Sequence, residues 1–244
     1  MPLNSLRIFA YKLIYGYKIE SSKIGFGTQL DCKEVVLTRA KIGRDNLIKC
    51  KSLCVLDGVI GNFNQFAGLE SVSLEQASIA NNNSFSDPMS LVMLGHSSSQ
   101  SNIGNFNKFF VGARVNKPGA TYGAIRLHQG AKITSSHMFD VVCDIVIGRK
   151  TVIAGRESQF WTHGSGIYKP ITIGEVSYIG SASRFAPGAK IGKNVIVGLG
   201  SVVTKEMECD NAMIAGVPAK VIKSNYDFRS REYLEDLEVP ESEV

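Results

Sequence analysis

Aliphatic side chains recur every six residues along most of this chain. Ile24-Gly25, Ile42-Gly43 and Ile60-Gly61 follow one another at an interval of three such periods. The clearest run without a slip consists of Ile173, Ile179, Phe185, Ile191, Val197 and Val203. An amphipathic helix has a period of about 3.6 residues and a half-buried strand alternates with a period of about two. A six-residue period instead predicts short strands separated by tight corners, each strand with one apolar side chain pointing inwards.

Three such strands make one coil, which is the interval between successive Ile-Gly pairs, and stacked coils form a parallel β-helix. Each inward side chain lies about 4.8 Å from its equivalent in the next coil, so that burial is repeated along the axis. Roughly eleven coils would form a prism about 50 Å long. An ordinary β-sandwich, the competing interpretation, would show irregular spacing and more turn residues.

The N-terminal segment does not follow the six-residue period. Leu6, Phe9, Leu13 and Tyr17 have helical spacing, which predicts a short amphipathic helix within residues 1–22. One interpretation is a cap that covers the open end of the solenoid, where a strand edge would otherwise be exposed. The other interpretation is weak docking on a membrane surface through this helix.

Two further segments complete the expected organisation of the chain. Residues 23–223 are expected to form the β-helix domain, with one loop described below. Residues 224–244 are acidic and predict a short C-terminal helix that ends in a tail.

Composition limits the classes of function that fit the chain. It has 244 residues, 44% of them hydrophobic, without an apolar run of the ~18 residues that span a membrane and without a secretory signal. The five cysteines form no CxxC pair, which favours free thiols in a reducing compartment. We therefore expect a soluble cytoplasmic protein. The net charge of +5 is dispersed, so we expect an anionic small molecule and no nucleic acid as partner.

Three motifs near the end of the repeat resemble a known family. Residues 171–223 contain "PGAKIG", "GSVVTK" and "GVPAKVIK", and this run resembles the hexapeptide-repeat acyltransferases. Residues 133–173 are similar to the sugar O-acetyltransferases of polysaccharide synthesis. The resemblance implies a left-handed parallel β-helix and a homotrimer with active sites between neighbouring prisms. It also implies transfer of an acetyl group from acetyl-CoA to a hydroxyl of a sugar or glycan acceptor.

The stretch "FWTHGSGIYKPITIG" interrupts the repeat. The interval from Ile147 to Ile173 exceeds one coil by more than one six-residue period, so a loop is predicted near residues 162–170. A sugar hydroxyl attacks poorly unless a base removes its proton, and histidine titrates near neutral pH. The resemblance implies that His163, in a Thr-His context, is this general base.

Three other residues are candidates for the catalytic site. His137 is a second candidate for the base, because a coil count that is wrong by one strand would exchange the two histidines. Asp140 or Asp144, about one coil before His163, is expected to bind the far imidazole nitrogen and to select its tautomer. The alternative role of either aspartate is to cap a corner with side-chain hydrogen bonds.

The resemblance also implies contacts to acetyl-CoA, in which small residues let backbone amides reach the pantetheine and basic side chains meet the phosphates. The residues at these positions are Gly180, Ser181, Ala182, Gly198, Gly200, Thr204, Lys205 and Lys220. Leu199 stands where the family usually has alanine. The glycines also have a purely structural interpretation as corner residues.

Other functions remain open at this point. The same base would serve an N-acetyltransferase that acts on an amino-sugar, and a solenoid without a competent site would be a non-catalytic scaffold. A metal-dependent hydratase needs clustered histidines, whereas His128 and His137 are well separated in the chain, without a third histidine near them. No metal is therefore expected.

Overall fold

The computed structural model describes residues 3–86, 88–112, 122–207 and 209–227. These residues contain one helix, α1 (Leu3–Tyr15), and 29 strands, most of them two to five residues long. In chain order the strands are β1 (Lys18–Glu20), β2 (Lys23–Ile24), β3 (Gln29–Thr38), β4 (Lys41–Ile42), β5 (Leu47–Leu56), β6 (Val59–Ile60), β7 (Gln65–Glu75), β8 (Ala77–Ile79), β9 (Ser84–Ser86), β10 (Ser90–Leu94), β11 (Ser101–Ile103), β12 (Lys108–Phe110), β13 (Ala124–Leu127), β14 (Lys132–Ile133), β15 (Met138–Asp140), β16 (Ile145–Ile147), β17 (Val152–Ile153), β18 (Gln159–Trp161), β19 (His163–Gly164), β20 (Ile167–Tyr168), β21 (Ile171–Ile173), β22 (Tyr178–Ile179), β23 (Arg184–Phe185), β24 (Lys190–Ile191), β25 (Val195–Val197), β26 (Val202–Val203), β27 (Glu206–Met207), β28 (Ala212–Ala215) and β29 (Lys220–Lys223).

The strands stack into a parallel solenoid of about 10 turns with three faces. The first face runs from the early parts of β3, β5 and β7 through β9, β12, β15, β18, β23 and β26. The second face contains β1, the late parts of β3, β5 and β7, and then β10, β13, β16, β21, β24 and β27. The third face runs from β2 through β4, β6, β8, β11, β14, β17, β22, β25 and β28 to β29.

The six-residue period places at least one side chain of most strands in the core. On the first face these side chains form a stack of parallel phenylalanine rings, with centroids 4.5–4.8 Å apart in successive coils. The stack consists of Phe66, Phe85, Phe109, Phe139, Phe160 and Phe185, all fully buried. Offset or parallel rings at this spacing add to the free energy of burial. The predicted all-β parallel β-helix is confirmed.

A ladder of buried polar side chains runs along one edge of the core. The backbone N–H of each rung donates to the side chain of the preceding rung over 2.8–3.1 Å. The rungs are Thr28, Asn46, Asn64, Asn83, Asn107, His137 and Ser158. Because a buried N–H without a partner is costly, the ladder explains why polar residues recur in a core otherwise made of aliphatic and aromatic side chains.

The number of turns is smaller than the eleven coils estimated from length, because several coils contain extra residues at their corners. In the third face Ile79 pairs with Ile103, Ile103 with Ile133, and Ile153 with Ile179. Each of these steps along the chain is longer than the regular step from Ile24 to Ile42. Insertions at corners leave the stacking of the strands intact.

Helix α1 lies over the first coil and ends at Tyr15, before the predicted end of the helical segment. The guanidinium of Arg7 donates to the carbonyl oxygens of Ile24 and Gly25 at 2.9 and 2.8 Å. Ile8 and Tyr11 pack against the core. The helix therefore packs against the first coil, and its role as a cap of the solenoid stays a prediction.

The predicted C-terminal helix and tail lie mostly outside the described residues, which end at Asp227. Of the helices in the described part of the chain, none has the length and apolar character needed to cross a membrane.

Candidate active site

A hairpin leaves the solenoid at the edge between the first and second faces, which we call the His163 corner. Strands β19 and β20 pair antiparallel, with His163 opposite Tyr168. The two residues between them, Ser165 and Gly166, have φ values of 44° and 79°, as in a two-residue type I′ turn. The segment lies where a loop was predicted, and His163 is at its root.

The carboxylate of Asp140 lies next to the imidazole of His163. Asp140 ends β15 and pairs with Trp161 of β18 in the next coil. Its Oδ2 contacts Nδ1 of His163, and the Asp140 side chain is fully buried whereas that of His163 is 22% exposed. A carboxylate accepts a hydrogen bond from an N–H, so the proton is assigned to Nδ1. The free lone pair is then on Nε2, on the opposite side of the ring.

Gly112 contributes a backbone contact from the coil before Asp140. Its N–H donates to Oδ1 of Asp140 over 2.8 Å. A Cβ at this position would lie 2.6 Å from Cε1 of His163 and 3.0 Å from Oδ1 of Asp140. Only glycine therefore fits here without displacement of the pair. No sequence motif marks Gly112; alignment of Phe109 with Phe139 would have put it near Asp140.

Thr162 fixes the backbone from which His163 projects. The Thr162 hydroxyl is buried, donates to the carbonyl of Asp140 over 2.7 Å and accepts from the N–H of Cys143 over 3.0 Å. These two bonds link the root of the hairpin to the coil that carries Asp140. The Thr-His order of the sequence thus has a structural reason beside any catalytic one.

Asp144 has other partners than His163. Its Oδ1 accepts from the N–H of Ala124 over 2.8 Å, and its Oδ2 lies 3.6 Å from Nε of Arg126. This is the corner-capping arrangement that the sequence left open for either aspartate. The structure brings Asp140, and not Asp144, against His163.

His137 is a rung of the buried polar ladder. Its Nδ1 accepts from the N–H of Ser158 at 3.1 Å, and its Nε2 lies 2.9 Å from Oγ1 of Thr134. Burial lowers the pKa of His137 to about 4, so the ring is neutral at pH 7. Both nitrogens have protein partners, and only 2% of the residue is exposed. The structure does not bring His137 together with Asp140 and His163.

Cys143, one residue before Asp144, carries a thiol near this corner that would be a nucleophile only in its ionised form. Partial burial, followed by the charges of Asp144 and Asp140, raises the pKa of the Cys143 thiol. A raised pKa keeps the thiol protonated at neutral pH, which disfavours attack through sulfur.

Aromatic side chains surround the outer surface near His163. The rings of Phe110 and Trp161 meet edge to face with centroids 6.0 Å apart. Tyr168 stacks over His163 at 6.2 Å and is half exposed. Lys108 lies over the Phe110 ring at 5.6 Å. This surface offers flat apolar faces with a cation beside them.

Most of the predicted acetyl-CoA contacts lie at another edge of the prism, between the third and first faces. Five small residues form this edge in two successive coils, and we call it the glycine corner: Gly180, Ser181, Ala182, Gly198 and Gly200. A depression of about 330 Å³ opens beside it, lined partly by Ala182 and Arg184. Leu199 projects outwards and is 81% exposed.

The physical reason that requires glycine differs between the positions of this corner. A Cβ at Gly180 would lie 2.7 Å from the backbone N of Leu199, so close stacking of the coils alone requires glycine there. Gly200 has φ of 69° with open space around it. Its conformation favours glycine, while its outer side leaves room for a ligand.

The other three predicted contacts to acetyl-CoA, Thr204, Lys205 and Lys220, lie outside the glycine corner. Thr204 and Lys205 are exposed and follow β26, on the same edge as His163 but two coils further along. Lys220 is exposed and begins β29, at the end of the third face. Within one chain, therefore, the eight candidates do not converge on one pocket with His163. In the described part of the chain no group of three or more metal-ligating side chains occurs.

Comparison with known proteins identifies the family. No protein-family model matches the chain. The chain is 42% identical over 134 residues to galactoside O-acetyltransferase of Escherichia coli K12, covering 50% of this chain and 65% of that protein. It is 30% identical over 143 residues to the putative lipopolysaccharide biosynthesis O-acetyl transferase WbbJ of the same organism, covering 49% of this chain and 70% of that protein. The chain belongs to the hexapeptide-repeat acetyltransferases. The family fold is the left-handed parallel β-helix.

Among solved structures, the polysialic acid specific acetyltransferase NeuO resembles the chain with a TM-score of 0.41 and 18% identity, covering 90% of this chain and 93% of that one. The chain spans only 65% of the length of galactoside O-acetyltransferase of Escherichia coli K12.

Proposed function

We propose that this hexapeptide-repeat protein is an acetyl-CoA-dependent O-acetyltransferase that acts on a sugar hydroxyl of a surface polysaccharide or its precursor. The observation that carries the proposal is the contact between Asp140 and Nδ1 of His163 at an open corner of the solenoid. The relatives support it, because their names describe O-acetyl transfer. We propose a cytoplasmic location as well, since the free thiols of the described residues fit a reducing compartment.

His163 acts as the general base in this proposal. Nε2 accepts the proton of the acceptor hydroxyl while the hydroxyl oxygen forms a bond to the acetyl carbonyl carbon of the thioester. The carbon–sulfur bond then breaks, and the CoA sulfur leaves with the electron pair and takes the proton. Asp140 holds the required tautomer and stabilises the imidazolium that forms. Burial and the charges of Asp144 and Asp140 raise the pKa of the Cys143 thiol, and the proposed mechanism, in which the hydroxyl attacks the thioester directly, requires no acyl-enzyme.

The aromatic surface near His163 fits a sugar ring. Phe110, Trp161 and Tyr168 present ring faces and edges within one or two coils of the imidazole. Aromatic rings offer π faces against which C–H groups pack, and Tyr and Trp add a hydrogen-bonding group at the rim, which suits pyranose rings with one apolar and one polar side. We propose that these three residues position the acceptor hydroxyl toward Nε2.

Acetyl-CoA is proposed to bind at the glycine corner of a neighbouring subunit. His163 and the glycine corner lie at opposite ends of the first-face strands, which span three residues, or about 10 Å. In a homotrimer of side-by-side prisms, each interface brings two different surfaces together. The His163 corner of one subunit can then meet the glycine corner of the next, while Lys205 and Lys220 remain available for the phosphates of CoA.

The proposal is tested by acetylation assays with a panel of hexosides, polysaccharide fragments and amino-sugars, in which free thiol of CoA and acetylated product are both measured. We expect acetyl esters on sugar hydroxyls. We also expect His163→Ala to bind acetyl-CoA normally but to lose about 10² to 10⁴ in kcat, the typical effect of a lost general base. Exclusive formation of amides on amino-sugars, or a kcat of His163→Ala within about threefold of wild type, would contradict it.

A further inference from the structure

The outward side of helix α1 is apolar. Leu6, Phe9 and Leu13 lie three and four residues apart, on one face of the helix, and are 54%, 60% and 72% exposed. Ile14 beside them is 68% exposed. Single exposed apolar residues are ordinary, but a contiguous stripe of large ones on a surface helix indicates a binding face.

This stripe is not needed to attach the helix. Ile8 and Tyr11 pack against the core from the other side of α1, and Arg7 binds two carbonyl oxygens of the first coil. Three of the apolar residues that the helical spacing singled out, Leu6, Phe9 and Leu13, therefore face outwards. The sequence could not distinguish the two sides, because both are apolar.

Positive charge is concentrated at the same end of the molecule. Residues 1–52 contain ten of the 27 Lys and Arg but only four of the 22 Asp and Glu. Lys12, Lys18 and Lys23 are exposed on α1 and on the strands beneath it. In the ion pairs formed by the described residues, none of these three lysines takes part.

We propose that the α1 end of the solenoid docks on an anionic lipid bilayer. Leu6, Phe9 and Leu13 would enter the interfacial region, and the surrounding lysines would lie near the lipid phosphates. Charge complementarity decides between the possible occupants. A second copy seated on the same face would bring two sets of lysines together, which costs free energy, whereas anionic headgroups supply the opposite charge.

Co-sedimentation of the full chain with vesicles tests this proposal. We expect binding to vesicles of equal parts phosphatidylglycerol and phosphatidylcholine, weakened by salt, and little binding to phosphatidylcholine alone. The double variant Phe9→Ser/Leu13→Ser should bind at least about tenfold more weakly. The affinity of Lys12→Ala/Lys18→Ala for these vesicles should also fall by more than about tenfold, since each lysine is expected to contribute about fivefold.

Two control variants separate this face from a general effect of exposed residues. Phe106 is 63% exposed with φ of 59° at a corner position that Ser136 occupies one coil later, so Phe106→Ser changes an exposed ring far from α1. Lys132→Ala removes an exposed lysine of the third face. Both should bind vesicles like wild type.

Sedimentation equilibrium completes the experiment. Loss of vesicle binding with an unchanged oligomeric state in Phe9→Ser/Leu13→Ser supports the bilayer as the occupant. Absence of vesicle binding by wild type, or a change of oligomeric state in the double variant without an effect on vesicles, overturns the proposal. In the second case the stripe is an interface between copies of the chain.

Discussion

Asp140 and His163 belong to successive coils, and their side chains meet because the hairpin root follows directly on the strand that pairs with Asp140. The pair is therefore fixed by the stacking of coils, as the core is. A buried carboxylate with one N–H donor from Gly112 and one from His163 has both oxygens occupied. In the proposed mechanism these two contacts would hold the imidazole in one orientation before the acceptor arrives.

Asp140→Asn should abolish most of the activity while the fold is kept. The amide of Asn would present N–H to Nδ1 and so stabilise the tautomer with its proton on Nε2, which cannot act as a base. We expect a loss of about 10² to 10⁴ in kcat, with the affinity for acetyl-CoA unchanged by calorimetry. Asp144→Asn is the matched control, because Asp144 binds Ala124 and Arg126 instead; equal losses in the two variants would refute the assignment.

Gly112→Ala tests the position of the ring. The added methyl would lie 2.6 Å from Cε1 of His163, so the imidazole must move. A shift of about 1 Å in a catalytic group can cost about 100-fold in rate. We therefore expect kcat to fall by at least about tenfold, with the KM for acetyl-CoA unchanged. Gly164→Ala adds the same methyl to open space in the hairpin and should retain its rate. Wild-type kcat in Gly112→Ala would count against a preorganised pair.

His137 should make stability depend on pH. Its pKa is about 4 in the folded chain against 6.5 for the free side chain, so below pH 6.5 the unfolded chain binds a proton that the folded chain does not. Stability from this group is present above pH 6.5 and is lost as the pH falls towards 4. At about 1.4 kcal/mol per pKa unit the loss is at most about 3 to 4 kcal/mol.

Urea unfolding of wild type and His137→Asn between pH 7.5 and pH 4.5 measures this effect. Asparagine forms the preceding rungs of the ladder and does not titrate, so the variant should keep its fold and its kcat and lack this part of the pH dependence. Parallel stability profiles for the two proteins would show that His137 is not held neutral. A large loss of kcat at pH 7.5 would make His137 the base.

Acetyl-CoA binding should depend on the two exposed lysines. We expect Lys205→Ala and Lys220→Ala each to weaken binding in calorimetry, with a smaller salt dependence than wild type, because phosphate contacts at a surface are screened by ions. Lys132→Ala, on the third face two coils before the glycine corner, should bind normally. Unchanged affinity in the Lys205→Ala/Lys220→Ala double variant would exclude both residues from the phosphate site.

Mixed trimers test whether each site joins two subunits. His163→Ala removes the proposed base, and Ala182→Trp blocks the glycine corner at a residue with φ of 56° that lines the depression beside it. Each variant alone should be inactive. Refolded together, they should regain about a quarter of the wild-type sites, since some interfaces pair an intact His163 with an intact corner. No recovery, or a stable and fully active monomer in sedimentation, would place the whole site in one chain.

The sequence predicts the fold well because each coil repeats the same burial. Residues such as Ile24, Ile42 and Ile60 occupy equivalent positions, and an inward residue can be recognised from its period alone. The register of the middle coils cannot be read in this way. The coil from Ile103 to Ile133 exceeds the regular interval from Ile24 to Ile42 by two whole six-residue periods, so the period alone does not reveal the added residues.

The site is predictable only in part for the same reason. The interruption of the period located His163, and a coil count reached both Asp140 and Asp144 but could not choose between them, since the choice depends on side-chain direction at a corner. Gly112 lies two coils before His163 and belongs to no motif, so only an alignment of Phe109 with Phe139 would have placed it near Asp140. His137 was a candidate because a coil count wrong by one strand would exchange it with His163. Its place in the buried polar ladder could not be recognised, since the residues of the ladder share no distinct sequence pattern.

The solenoid also sets a length. Six steps of the third face separate Ile24, under α1, from Ile153, in the coil of His163, which is a rise of about 29 Å at about 4.8 Å per step. Docked through α1 with its axis upright, the protein would hold its base at that height above the headgroups. Hydroxyls of a lipid-linked glycan would then be selected by their distance from the bilayer. Insertion or removal of one regular coil, such as that from Ile42 to Ile60, would move the site of acetylation along the glycan by about 4.8 Å.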